Sequence, residues 1–266
     1  MASGSARYTH GHHETVLRSH TWRTVENSAA YLIQYLESGR SLLDVGCGPG
    51  TITDDLAARL APGSVIGLDA SAGVVATAAA TAVASNVQFV VGDAYSLPFD
   101  DGTFDIVHAH QTLQHLADPV AALREMRRVL VPGGILAARD VDYAGTFWFP
   151  VSPGLLAWQT LYDSIARSNG GEPDAGRRLL SWAREAGFSE IRPTASVWTF
   201  ATPDDRAWWG GMWADRVLQS AFAVDALDKG FATQHDLDHI SNAWRAWSMN
   251  EDATMIMPHG EVICVA

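Results

Sequence analysis

The nine residues Leu42-Leu43-Asp44-Val45-Gly46-Cys47-Gly48-Pro49-Gly50 constrain this chain more than any other stretch. A short apolar run leads straight into three alternate glycines, and residues 51–60 beyond them carry apolar side chains at helical spacing. Such text reads as a buried strand turning directly into a helix, through a bend without Cβ atoms where the backbone can approach a ligand.

The surrounding sequence supplies the rest of a sheet. Apolar runs at 41–45, 64–68, 87–91, 104–108 and 135–141 alternate with helical patterns at 51–60, 72–84 and 119–130, closed by turns such as Pro62-Gly63 and Pro132-Gly133-Gly134. This order predicts an α/β fold, a Rossmann-like doubly wound sheet with right-handed crossovers. Ligands of such sheets bind at the carboxyl ends of the strands. Functional residues are therefore expected on the loops that begin near Gly46, Asp69, Gly92, His110 and Asp142.

The flanks read differently. Residues 1–40 are polar and His-rich, with a helical pattern at 24–37. After Val141, helices are predicted at 154–169, 174–186, 204–224 and 233–249, and extended chain at 191–200 and 254–266, the last bent about Pro258-His259-Gly260. With no internal repeat or low-complexity linker, residues 1–266 read as one domain. Its parts are an N-terminal arm or lid (1–40), a cofactor-binding core (41–141), acceptor-side helices with one strand (142–253) and a C-terminal strand (254–266). Between Trp198 and Trp247 stand six of the ten tryptophans. They are expected to pack the core of a helical cap, or else to wall a flat, apolar ligand.

The formal net charge of -12, with 18 Lys and Arg in all, opposes a nucleic-acid partner. Arg124, Arg127 and Arg128, beside Glu125, read as a solvated helix face. Cys47 and Cys264 are the only cysteines, the first residues lack a basic-then-apolar leader, and the Ala-rich stretch 70–84 is too short and polar to span a bilayer. A cytoplasmic protein with no membrane span is expected.

The acids say what the glycine bend holds. A dinucleotide fingerprint would place glycine where Thr51 stands and has no need of Asp44, two residues before the first glycine. A carboxylate there repels a pyrophosphate and suits S-adenosylmethionine, which carries an ammonium and a sulfonium. Asp69 ends the second strand, where an acid can accept from both ribose hydroxyls, or simply cap the next helix. Asp93, in Gly92-Asp93-Ala94, can meet an adenine amino group, or cap its own turn.

Leu43 to Gly50, Gly67-Leu68-Asp69, Gly92-Asp93-Ala94 with Leu97-Pro98-Phe99, Phe104-Asp105, and Ala122-Leu123-Arg124-Glu125 through Leu130-Val131-Pro132-Gly133-Gly134 together resemble the class I S-adenosylmethionine-dependent methyltransferases of the UbiE-like type (methyltransferase type 11). The resemblance implies a seven-stranded sheet of order 3-2-1-4-5-7-6 with strand 7 antiparallel. It also implies that Asp44, Gly46, Cys47, Gly48 and Gly50 surround the methionine part of the cofactor, Asp69 and Ala70 the ribose, Asp93 and Ala94 the adenine, and His110 and Gln111 the methyl-donor side. An arm over the cofactor would bring Tyr8, His12 and Trp22 to it as lid residues. A small-molecule acceptor is implied as partner, and a homodimer is compatible with the family.

Methyl transfer from a sulfonium depends on alignment, and needs a base only where the acceptor must lose a proton. His108, His110 and His115 lie near the end of strand four, and Asp140 and Asp142 follow strand five. His110, His115 and Asp140 are the catalytic candidates. Many relatives carry a His-His pair where this chain has Gln114-His115, so a base at the first position is lost. His108 and His110 with Asp140 could be imagined around a metal, but no further ligand accompanies them, and none is expected. His10, His12, His13 and His20 read as part of the polar arm. The expected function is methyl transfer to an O, N or C atom of a small, aromatic or secondary metabolite. The alternatives are a cofactor-binding sensing or interaction module without turnover, a macromolecule methyltransferase, and a nicotinamide oxidoreductase.

Overall fold

The computed structural model describes residues 22–266. Tyr8, His10, His12, His13 and His20 lie outside the described residues.

Five parallel strands form in the order anticipated: β1 (Leu42–Val45), β2 (Val65–Asp69), β3 (Val87–Val91), β4 (Phe104–His110) and β5 (Leu130–Val141). Two long strands follow, β7 (Glu190–Phe200) and β8 (Thr254–Val265), with a three-residue strand between β5 and β7, β6 (Phe147–Phe149). The sheet runs β3-β2-β1-β4-β5-β8, with β7 beyond β8, and β8 is antiparallel to both β5 and β7. This is the 3-2-1-4-5-7-6 order, β7 and β8 filling the sixth and seventh places. The short β6 pairs with the start of β8 on the side where β5 has ended. Three residues are too few to show periodicity, so the sequence pattern passed it by.

Helices cover both faces. Among the described residues, α1 (Val25–Ser28) and α2 (Thr51–Leu60) pack one face through Val25, Leu32, Leu42, Leu56, Ile106 and Ile263. The other face carries α4 (Pro119–Arg128) and α6 (Leu179–Glu185), joined through Leu123, Met126, Leu136, Leu179 and Cys264, while α3 (Ala72–Thr81) flanks β2 and β3. Beyond the strand ends, α5 (Pro153–Ser168), α7 (Pro203–Gln219), α8 (Ala221–Asp228) and α9 (Gln234–Met249) build a separate aromatic core. Trp158, Trp213 and Trp244 are wholly buried there, their rings meeting edge-on at 4.9 Å around Trp158. The tryptophans thus serve chiefly as the cap's own core.

Four expectations need correction. The helix at 24–37 is broken: Thr24 and Asn27 form a capping box, Ala29 leaves helical geometry, and residues 30–35 continue as a 3-10 turn that lays Tyr31 and Leu32 onto the sheet. The helix at 204–224 is two, because Ser220 is extended and its hydroxyl caps α8 at Phe222. Pro132-Gly133-Gly134 lies inside β5 as a bulge, with Leu130 and Ile135 facing Phe104 and Ile106. Pro258-His259-Gly260 is likewise no turn. Pro258 accepts from Asp142 on the β5 side, at the gap between the pairings of β5 and β6, so its missing N–H interrupts neither ladder. Gly260 is required because a Cβ there would stand 2.0 Å from the carbonyl oxygen of Gly176, which crosses the strand.

Among the described residues, no helix is long and apolar enough to cross a membrane.

Candidate active site

The bend after β1 is built as the glycines require. Gly46, Gly48 and Gly50 have φ of 74°, 55° and 83°, values that residues with a Cβ rarely adopt. Crowding inside the protein adds to the demand: a Cβ on Gly46 would sit 2.3 Å from Thr112 Oγ1. The loop is thus pressed against the segment that follows β4, as well as open to a ligand.

Asp44 anchors the bend from beneath. Its Oδ2 accepts from the Thr53 hydroxyl at 2.6 Å, in the first turn of α2, and its Oδ1 lies 2.7 Å from His108 Nδ1 on β4. All three side chains are buried. The carboxylate therefore ties β1, α2 and β4 together under the loop and places a negative charge below the position of a bound cation.

Asp69 stands at the next strand tip. Its Oδ2 accepts from the Gly48 N–H at 3.2 Å and its Oδ1 from the Ser71 N–H at 2.9 Å, so one carboxylate spans the glycine bend and the entry to α3. Each oxygen keeps lone pairs for a ribose. The helix-capping bond at α3 is made by Ser71, which frees Asp69 from that task. Ala70 is exposed beside it; at the third tip Asp93 is exposed, with its Oδ1 on the Tyr95 N–H, and Ala94 is half-buried. Cys47 is buried, and burial with Asp44 and Asp69 nearby pushes its thiol pKa far up, so it is an inert packing group. These residues fit a nucleoside with a cationic tail: the acids lie at three adjacent tips, and the one backbone bend joins them.

The turn after β4 centres on Gln111, the one residue other than glycine with positive φ among the described residues, at 50°. A chain of hydrogen bonds holds it there. His259 donates from Nδ1 to the Met257 carbonyl at 3.0 Å, Gln111 donates its amide N–H to His259 Nε2 at 2.9 Å, and Arg23 donates to Gln111 Oε1 at 2.7 Å. The arm is thereby clasped to the end of β4 and to β8. A strained backbone held by converging bonds is characteristic of ligand sites.

His110 ends β4 and is buried, yet neither ring nitrogen has a hydrogen-bond partner. Burial, then the Arg23 and Arg139 charges, hold its pKa well below the usual histidine value, so it is neutral. His115 is neutral too, lowered to about 3 by burial and Arg23, and Gln114 donates to its Nε2 at 3.1 Å. Asp140 is fully buried; Oδ1 accepts the Gln114 N–H at 3.2 Å while Oδ2 is unpartnered. Burial, against the Gln114 and Leu113 N–H groups and nearby arginines, raises its pKa to about 8. His110 pairs with Arg139 across β4 and β5, so Asp140, the next residue, faces the other side of the sheet. His108, His110 and Asp140 therefore do not converge, and among the described residues no group of three metal-ligating side chains is found.

One placement departs from expectation. Trp22, expected over the cofactor, packs instead on Trp198 and Trp208 at 5.3 and 5.4 Å, beside β7, which is separated from β1 by β4, β5 and β8. Its large apolar ring is drawn to the aromatic cluster there. Arg23, Tyr31, Arg139, His259 and Glu261 were absent from the sequence-based candidates, since a strand edge of known direction is needed to say that they face one another; Trp198 stood among the tryptophans read as a possible aromatic wall.

The fold is a doubly wound α/β sheet with acids at three adjacent strand tips. The chain matches the family model described as a methyltransferase domain over residues 43–138. It is 34% identical over 269 residues to a methyltransferase of Schizosaccharomyces pombe, covering 96% of this chain and 95% of that protein. A demethylmenaquinone methyltransferase of Staphylococcus aureus is 41% identical over 172 residues, 59% of this chain and 71% of that one. The fold is shared with the YcgJ protein of Bacillus subtilis (TM-score 0.54, 23% identity, 89% and 96% of the chains). It is shared also with phosphoethanolamine N-methyltransferase 2 of Haemonchus contortus, solved with S-adenosyl-L-methionine (TM-score 0.56, 18% identity, 89% and 51%). The chain belongs to the S-adenosylmethionine-dependent methyltransferases.

Proposed function

We propose that the protein methylates a small-molecule acceptor at an oxygen, nitrogen or carbon atom, seated beneath the arm at the ends of β4 and β5. The observation that supports this reading best is the buried His110 ring, both of whose nitrogens lack a hydrogen-bond partner among the described residues. Folded proteins leave few such atoms unpaired, and those that remain call for an explanation such as a bound molecule. Trp198, 5.8 Å from His110, supplies an aromatic wall, which suits a flat acceptor. Relatives named for demethylmenaquinone support an aromatic ring as its body.

Bound S-adenosylmethionine supplies a methyl group on an activated sulfonium. The chain's part is to hold and align. Asp69 grips the ribose, Asp44 offers its field from below the bend, and Gln111, fixed by Arg23 and His259, borders the methyl side. The arm, clasped through Arg23, excludes water. His110, neutral and buried, orients the acceptor by hydrogen bonding. Asp140, with a pKa of about 8, lies on the other side of the sheet from His110 and holds the Gln114 N–H behind the site.

A labelled-methyl screen of phenols, quinones, indoles and amines, read by mass spectrometry, tests the reading. Transfer to one class with release of S-adenosylhomocysteine is expected. Cofactor binding without transfer to any acceptor would make the domain a sensing module, and transfer to protein or RNA alone would overturn the small-molecule acceptor.

A further inference from the structure

Arg139 lies near the carboxyl end of β5 and is 1% exposed. Along the sheet it is paired with His110 on β4 and Glu261 on β8, and Glu261 with Thr194 on β7, so the four side chains form one row on the face that the arm covers. Arg139 Nε donates to Ser196 Oγ at 3.0 Å and to Glu261 Oε1 at 3.3 Å. Glu261 is otherwise filled by the Ser196 hydroxyl at 2.5 Å and the Thr194 hydroxyl at 2.8 Å. Both Nη atoms of Arg139 are left without a partner. The guanidinium also stands 5.0 Å over the Trp198 ring.

Other orphaned atoms share this face: both nitrogens of His110, Nε2 of His108 and the Tyr31 hydroxyl. Tyr31 is held close to Glu261 and Arg139, whose charges act on it together with those of Asp140 and Asp44. Most of what is unsatisfied here is donor. Two Nη atoms carry four N–H bonds, and Tyr31 and neutral His110 add one each, against few acceptors. Water can donate as well as accept and would leave part of this excess unmet, whereas an oxyanion accepts only. The two Nη atoms form the fork that matches a carboxylate bidentately.

We propose that Arg139, with His110 and Tyr31, binds a carboxylate of the acceptor, which makes the substrate a carboxylic acid. The proposal rests on the reading of the site as a small-molecule methyltransferase. The cofactor's own carboxylate is the competing source, and the topology favours the acceptor, because β4 lies between Arg139 and the glycine bend of β1.

The test uses the whole chain saturated with S-adenosylhomocysteine, titrated by calorimetry with acetate, benzoate and indole-3-acetate, each beside its neutral amide. At least one acid is expected to bind tenfold or more tightly than its amide. The double variant Arg139→Gln/Glu261→Gln, which removes both buried charges together, is expected to abolish that preference and to keep S-adenosylhomocysteine affinity within about twofold. Arg139→Lys, which keeps the charge and loses the fork, should lower the preference at least fivefold and serves if the double variant does not fold. Acids and amides binding alike, or none binding to the wild type, would overturn the proposal. Loss of S-adenosylhomocysteine affinity by tenfold or more in a folded variant would assign the fork to the cofactor instead. Failure of the wild type to bind S-adenosylhomocysteine would sink the methyltransferase reading itself, a distinct outcome.

Discussion

Asp69 meets the glycine bend from the neighbouring strand tip, and its two oxygens already orient the Gly48 and Ser71 amides. Replacing it by alanine removes charge-assisted bonds to a ribose and loosens the bend. Asp69→Ala is expected to weaken S-adenosylmethionine binding by at least about 1 kcal/mol, measured by titration calorimetry; unchanged affinity in a folded variant would remove Asp69 from the site. Asp140 allows a pH test. Its folded-state pKa, about 8, lies above its ordinary value of 3.8, so the native state holds a proton that the unfolded chain releases. The stability tied to that proton is fully present below about pH 4 and is lost as pH rises to 8. Asp140→Asn keeps an acceptor for the Gln114 N–H without ionising. Its melting temperature relative to wild type should climb between pH 4 and 8 and then level off; parallel curves across this range would show that Asp140 does not titrate so. Of the site residues, Asp44 and Asp69 were legible because strand ends announce themselves by glycine and by acid, and Gln111 was named only through the family resemblance. Arg139 and His259 were not, since each draws its meaning from partners 50 to 150 residues away: Ser196 and Glu261 for one, Gln111 for the other.

At the scale of elements, the β1-to-α2 bend is the piece whose geometry is most tightly specified. Gly46 needs both a left-handed φ and the absence of a Cβ against Thr112. Gly46→Ala should cost roughly 1–2 kcal/mol for backbone conformation and about 1–3 kcal/mol for overpacking, read by urea unfolding. Adding Thr112→Gly is expected to recover the packing part and leave the backbone part; no recovery would mean that Thr112 is not the obstruction. Regular elements with a full period were readable: α2 has the expected bounds, and β3 spans the same five residues. Irregular ones were not. The extended Ser220, the bulge at 131–134 and the straight passage of β8 through Pro258 are all decided by neighbours in space, which override the local turn preference of proline, glycine and serine.

Over the whole molecule, one sheet serves two packing tasks. Its first four strands in spatial order carry the acids and the glycine bend, while β5, β8 and β7 lead into the tryptophan-rich cap and the row around Arg139. The strand order followed from the alternation of patterns together with the family resemblance, but the sequence did not show that the long β7 and β8 pair over eleven residue positions. Ligand binding should be felt globally. At a free concentration a hundred times its Kd, S-adenosylhomocysteine should add about 2.7 kcal/mol, or a rise of roughly 5–10 °C in melting temperature for a chain of this size. NAD should add nothing; a matching rise with NAD would restore the oxidoreductase alternative. The central claim, that acids at adjacent strand tips hold a sulfonium nucleoside across the glycine bend, is tested most directly by equilibrium dialysis of the purified chain against radiolabelled S-adenosylmethionine. Saturable uptake of one nucleoside per chain, displaced by S-adenosylhomocysteine and indifferent to NAD, is the predicted result. Natively folded protein that takes up no label would contradict it.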